Sequence, residues 1–338
     1  MNTTANYKRI KLACYSSYFT MTSVFCLPAL LFATFHETYG ISYTLLGTLV
    51  LTNFCTQLTI DLIFTAFSKR FNISRVVKIM PLITTLGLAI YALAPTFFPS
   101  FAYIGLLVGT IVFSVSAGLS EVLLSPIIAA IPSDNPQRDM SMLHSLYALG
   151  FLTIVSFSTV FLKFVGTENW VYLTLLLAAL PVVSSVLFII SPFPDMKQEA
   201  QADAHSGKRK GVALSLCAAS IFFGSCAENT MSNWISSYME NALNIDKTVG
   251  DILGMAIFAV LLGAMRLAYA KYGKSIFPVL LFGMVGSSLC YLVAGLSTGR
   301  LLPFTACVLT GLFTSMLWPG SLITVSYTHL TLPTMAVV

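Results

Sequence analysis

Apolar residues run along this chain in stretches of twenty or more, separated by short polar or Pro/Gly-containing breaks. A helix needs about 20 predominantly apolar residues to cross the hydrocarbon core of a bilayer. By that measure the pattern predicts ten spanning helices, over 12–35, 43–67, 75–97, 101–131, 141–164, 169–192, 212–238, 249–271, 275–297 and 301–325. A transmembrane β-barrel would instead show roughly ten-residue segments of alternating polarity. The first run lies behind Tyr7-Lys8-Arg9-Ile10-Lys11, lacks a cleavage site and is too long for a secretory leader, so it is expected to stay as a helix. The longest hydrophilic stretch, from Pro194 to Lys210, falls between the sixth and seventh runs. It divides the sequence into an N-terminal six-helix bundle (1–193), a cytoplasmic linker (194–211) and a second bundle of four spans (212–325).

Composition narrows the classes further. Of 338 residues, 57% are hydrophobic and 9% charged, and the mean hydropathy is +0.85. An ordinary soluble domain carries about 25% charged residues. A soluble enzyme, a nucleic-acid binder and a disordered polypeptide are excluded. The net charge of +5 is informative only by position, because cytoplasmic loops collect Lys and Arg. With the N-terminus inside, only Lys163, Lys247 and Arg300 of the 18 basic residues fall on the outer side. The expected location is therefore the plasma (inner) membrane, multi-pass, with a cytoplasmic N-terminus. The seven Cys form no CxxC pair and read as reduced, buried small residues. No HExxH, Walker A, in-context GxSxG or paired His/Cys ligand set occurs, so neither an enzyme, a metal nor a cofactor is expected.

The chemistry is carried by polar residues inside the apolar runs, where a charge is costly and a functional role is the default reading. Asp61 lies roughly 12 Å in from the cytoplasmic end of its span and Glu121 roughly 15 Å in, at 1.5 Å per residue. Glu228 falls just past the middle of the seventh span, and Asp251 near the outer end of the eighth, where water is expected to reach it. Asn53, Gln57 and Asp61 recur every fourth residue; Ser114, Gly118, Glu121 and Ser125 share one helix face; so do Ser220, Gly224, Glu228, Ser232 and Ser236. Such faces avoid lipid and suit a solute route; helix–helix packing by Ser, Gly and Asn is the competing reading. Glu121, Asp61 and Glu228 are the candidates for proton coupling. Asn53, Gln57, His144, Asn229, Trp234 and Trp318 are the candidates for solute binding by hydrogen bonding and stacking. Trp170 reads as part of an interfacial aromatic belt. Gly105 and Gly109 form a GxxxG close-packing signal.

Six spans, a linker and a second bundle resemble the major facilitator superfamily. After the second span, Ser68-Lys69-Arg70-Phe71-Asn72-Ile73-Ser74-Arg75 is similar to that family's basic loop, and Arg266 to Tyr272 to its counterpart in the other half. The resemblance places gating loops at Lys69, Arg70, Arg75 and Arg266. Gly118-Leu119-Ser120-Glu121 with Pro126, followed by Met142 to Gly150, resembles the fourth and fifth spans of the fucose-permease-like sugar/proton symporters. There a Glu in the fourth span takes part in proton coupling and sugar recognition, which the resemblance assigns to Glu121. Those symporters also use an Asp in the first span. Here Glu37 stands only at that span's outer end, and Asp61 or Glu228 is the substitute. Leu317-Trp318-Pro319-Gly320 resembles the Pro-containing tenth span of the same group.

The fold implied is all-α and polytopic, with about ten of the expected twelve spans present. From about Ser326 the sequence resembles translated adapter read-through, so 326–338 is expected to be a non-native tail and the sequence to be truncated at its C-terminal end. The leading functional expectation is a monomeric secondary transporter that moves a small polar solute, a sugar or related metabolite, together with protons by alternating access. A buried carboxyl resists ionisation, which suits Glu121 to carrying a proton. The other readings are a proton-driven exporter of amphiphilic drugs and a non-transporting membrane receptor on the same fold.

Overall fold

The computed structural model describes residues 7–67, 70–133, 136–194, 208–273 and 275–321. Among them the regular structure is helical throughout, as a bilayer requires when each backbone polar group must be satisfied within its own segment. Nine helices among the described residues are long and apolar enough to cross a membrane. The helices fall into two compact units, Met1–Gln198 and Glu199–Ala336.

The first unit contains α1 (Tyr7–Tyr39), α2 (Tyr43–Phe67), α3 (Ile73–Phe97), α4 (Ala102–Ala130), α5 (Pro136–Val165) and α6 (Trp170–Ile189). Turns of 3₁₀ helix, Pro99–Phe101 and Thr167–Asn169, lead into α4 and α6. α1 is the core of this unit, packed by α4, α5 and α6, with 83% of its apolar window buried. α2 is peripheral, with 22% buried, and rests mainly on α4. Its two faces differ accordingly. Leu51, Leu58 and Leu62 are exposed on one side, while Asn53 and Gln57 are buried on the other. The GxxxG of α4 packs closely: a Cβ on Gly105 would lie 2.7 Å from Ala94 Cβ, and one on Gly109 2.7 Å from the Tyr91 backbone. Two polar seams bind α3 to its neighbours. Thr84 donates to Ser116 at 2.7 Å, and Ser185 of α6 donates to the Lys78 carbonyl at 2.7 Å. Trp170, expected in an interfacial belt, is instead buried, its ring edge-on to Phe35 at 5.0 Å. It opens α6, but α1 covers its face.

The second unit contains α7 (Lys208–Asn241), α8 (Lys247–Val249), a π-helical segment (Gly250–Ala256), α9 (Ile257–Tyr272), α10 (Ile276–Leu296) and α11 (Leu301–Thr314). α8 runs on through the π segment into α9, so the three make one span, Lys247–Tyr269. The described part of α7 is not among the nine apolar spans, because Glu228, Asn229, Asn233 and its serines lower its hydropathy. α11 packs on α10, α9 and α7. Cys14, Cys26, Cys290 and Cys307 are buried and all seven Cys are free; Cys55 and Cys226, expected buried, are exposed.

Candidate functional site

The polar face of α2 meets the polar face of α4 over three successive turns. At the first level, Asn53 Oδ1 accepts from Ser114 Oγ at 2.6 Å and from Gln57 Nε2 at 2.7 Å. At the second, Gly118 brings the helices together: a Cβ there would stand 3.1 Å from the Gln57 carbonyl and 3.1 Å from Ile60 Cβ. At the third, Asp61 and Glu121 are close enough for their charges to interact. The four-residue spacing on α2 and the 4, 3 spacing on α4 keep the two faces in step.

The two carboxyl groups are poorly supported by protein. Asp61 Oδ1 is shut off from solvent and has no hydrogen-bond partner among the described residues. Glu121 is exposed, and no ion pair involves either acid among the described residues. Asn53 and Gln57 form one bonded pair, which leaves the Asn53 amide N–H groups and Gln57 Oε1 without a protein partner among those residues. Beside this seam stands an aromatic group that the sequence did not single out. Phe25 of α1 contacts Phe54 of α2 at 6.4 Å and Tyr147 of α5 at 6.0 Å between ring centres. Phe54 adjoins Asn53 and Tyr147 follows His144 by three residues, so nearness in sequence to polar candidates was the available signal. His144 belongs to α5, and its side chain lies outside the described residues, as does Lys69.

The remaining loop candidates divide. Arg70 is exposed with its guanidinium 5.2 Å from the Phe67 ring centre. Arg75 is exposed in the first turn of α3, its N–H capped by Asn72 Oδ1 at 3.1 Å. Arg266 is not in a loop. It lies inside α9 and turns into its own unit, where Nη2 donates to both oxygens of Glu228, at 3.0 and 2.8 Å, and Nε donates to the Ser315 carbonyl at 2.9 Å. A helical side group leans toward its helix N-terminus, which carries this guanidinium away from the membrane surface and toward α7. Glu228 is thus a paired carboxylate, unlike Asp61 and Glu121.

Most of the α7 stripe meets other segments of the second unit. Ser220 shares a hydrogen bond with Ser321 at 2.8 Å, Gly224 abuts Leu317, Glu228 binds Arg266, and Ser236 donates to Asp251. Asp251, expected to meet water, is 1% exposed and lies 4.0 Å from Lys247. Asn229 Nδ2 donates back to its own helix, to the Ser225 carbonyl at 3.0 Å. Trp234 is half-buried on α7 and Trp318 is exposed beyond α11. In the first unit Asn53 and Gln57 share a direct hydrogen bond. Residues 326–338 lie outside the described residues.

Known proteins agree with this one in fold. The family model described as Major Facilitator Superfamily matches residues 13–329. A search of curated protein sequences finds no match. Among solved structures, the protein is similar to a D-xylose-proton symporter at 13% identity and TM-score 0.77, covering 98% of this sequence and 85% of that one. It is similar to the E. coli fucose:proton symporter at 12% identity and TM-score 0.63, over 98% and 87% of the two sequences. A bacterial homologue of the human lysosomal transporter Spinster, inward-facing and unoccupied, matches at 14% identity and TM-score 0.71, over 99% and 78%. At these identities the likeness is one of fold.

Proposed function

The protein belongs to the Major Facilitator Superfamily, and from that premise we propose that it is a secondary transporter carrying a small polar solute, a sugar or related metabolite, together with protons. The observation that carries this reading is the α2–α4 seam. It holds two interacting carboxyl groups without a cation among the described residues, one turn beyond a hydrogen-bonded amide pair. A charged acid at the centre of a membrane helix costs roughly 2.5–3.5 kcal/mol. Lacking a protein counter-ion, the pair lowers that cost by taking up a proton, and Glu121, the exposed member, is the group that exchanges it. The free amide N–H groups of Asn53 and Gln57 Oε1 supply one donor side and one acceptor, which is what neighbouring hydroxyls of a sugar require. Alternating access then opens this route to one membrane face at a time. The N-terminus is assigned to the cytoplasmic side of the plasma membrane, from the distribution of Lys and Arg.

The similar structures named for xylose and fucose supply the first probes. In proteoliposomes with a pH dye outside, adding either sugar without a metabolic energy source is expected to alkalinise the medium as protons enter with it. Sugar entry that leaves external pH unchanged would overturn the coupling, and absence of entry for these and a wider polyol set would overturn the solute class.

A further inference from the structure

A proline inside a helix removes one N–H and leaves the carbonyl four residues earlier without its donor. In the last described helix that carbonyl belongs to Ser315, because Pro319 follows four residues on. The helix breaks there: α11 ends at Thr314, Ser315 and Met316 form a turn, and helix resumes over 317–321. The orphaned carbonyl is supplied from another element, by Arg266 Nε at 2.9 Å. The other arm of the same guanidinium is held by both oxygens of Glu228 on α7. The segment after the break lies along the same α7 face, with Leu317 against Gly224 and Ser321 bonded to Ser220. Three successive turns of α7 thus hold the two sides of the proline break.

We infer that Arg266 is a positioning residue that stands in for the backbone donor Pro319 removes, with Glu228 holding it there by charge, so that the proline hinge is latched to α7 and its release sets the pace of conformational exchange. The geometry separates the two duties of Arg266. Any cation at 266 answers the charge of Glu228, but only the guanidinium forks, with Nε on one partner and Nη2 on another. Lys at this position keeps the ion pair and loses the carbonyl. Conversely, Ala at 319 restores an N–H within hydrogen-bonding register of Ser315 and makes the Nε contact unnecessary. The consequence for transport rests on the proposed function; the local consequence does not.

The test is hydrogen exchange over 312–321 in four purified full-length proteins: wild type, Arg266→Lys, Pro319→Ala and the double variant. A lost hydrogen bond to a charged donor is worth about tenfold in the local opening equilibrium. Arg266→Lys is expected to speed exchange in this segment about tenfold in the wild-type background and by less than about twofold in the Pro319→Ala background. Equal acceleration in both backgrounds, or none in either, would overturn the inference. Should Arg266→Lys fail to fold, Glu228→Gln serves instead: it frees the guanidinium from its anchor and is expected to give a smaller acceleration that Pro319→Ala again removes. Counterflow of labelled xylose measured on the same proteins reads the transport arm. Its failure with the exchange pattern intact would reject the solute and keep the latch.

Discussion

The two units each place acid within membrane helices, and they treat it in opposite ways. In the second, Glu228 meets a guanidinium that binds both its oxygens, and Ser220, Gly224 and Ser236 of the same stripe meet neighbouring segments. In the first, Asp61 and Glu121 have only each other among the described residues, one with a buried unpartnered oxygen and the other exposed. An acid gripped at both oxygens by a guanidinium is tied into the packing of its helices. Two acids without one are where the proposed function locates proton exchange. Identical-looking stripes at helical spacing therefore meet different surroundings, according to whether a cation reaches them.

The largest effect that separates the two regions is on stability. Removing one partner of a buried ion pair costs roughly 3–5 kcal/mol. Arg266 and Glu228 are 25% and 14% exposed, so Arg266→Ala is expected near the lower end, about 3 kcal/mol. Equilibrium unfolding should show most of that recovered when Glu228→Gln is added; additive losses would mean the pair is not coupled. Next, Gly118→Leu is expected to cost about 2 kcal/mol by forcing α4 from the Gln57 carbonyl and Ile60. A thermal shift close to zero would show that the seam is looser than described. Asn53→Ala removes the acceptor for both Gln57 and Ser114 and is expected to cost about 1 kcal/mol. An unchanged unfolding midpoint would mean that water replaces both bonds. Smallest of all, Glu121→Gln has no ion pair to lose, so its unfolding midpoint should match wild type within about 0.5 kcal/mol. A loss as large as that of Arg266→Ala would erase the contrast between the units.

Much of the fold was legible because hydropathy writes the length of a membrane helix directly. The expected run 43–67 coincides with α2, and most of the others end within a few residues of their helices. The α2 and α4 stripes were legible as well, since an acid, an amide and a glycine at three- and four-residue spacing fix a face. What faces that face was not legible. Arg266 resembled a loop residue because it stands near the basic end of its span, and its partner Glu228 is 38 residues away on a helix whose packing no local pattern encodes. The sign that it belongs inside was indirect: Pro319 leaves a carbonyl needing a donor. Asp251 and Trp170 were misread for the same reason, since depth along a helix says nothing of which neighbour covers a residue. α7 was read by its polar spacing as a solute route, but Ser220, Gly224 and Ser236 each meet the second unit's own helices.

We propose that coupling resides in the α2–α4 acids and not in Glu228. It is tested most directly by uphill accumulation of the transported solute under an imposed proton gradient, in proteoliposomes of Glu121→Gln and of Glu228→Gln, with counterflow measured alongside. Glu121→Gln is predicted to lose accumulation while keeping counterflow, and Glu228→Gln to keep some accumulation at a reduced rate. Retained uphill accumulation in Glu121→Gln, or its loss in Glu228→Gln alone, would remove coupling from the α2–α4 acids.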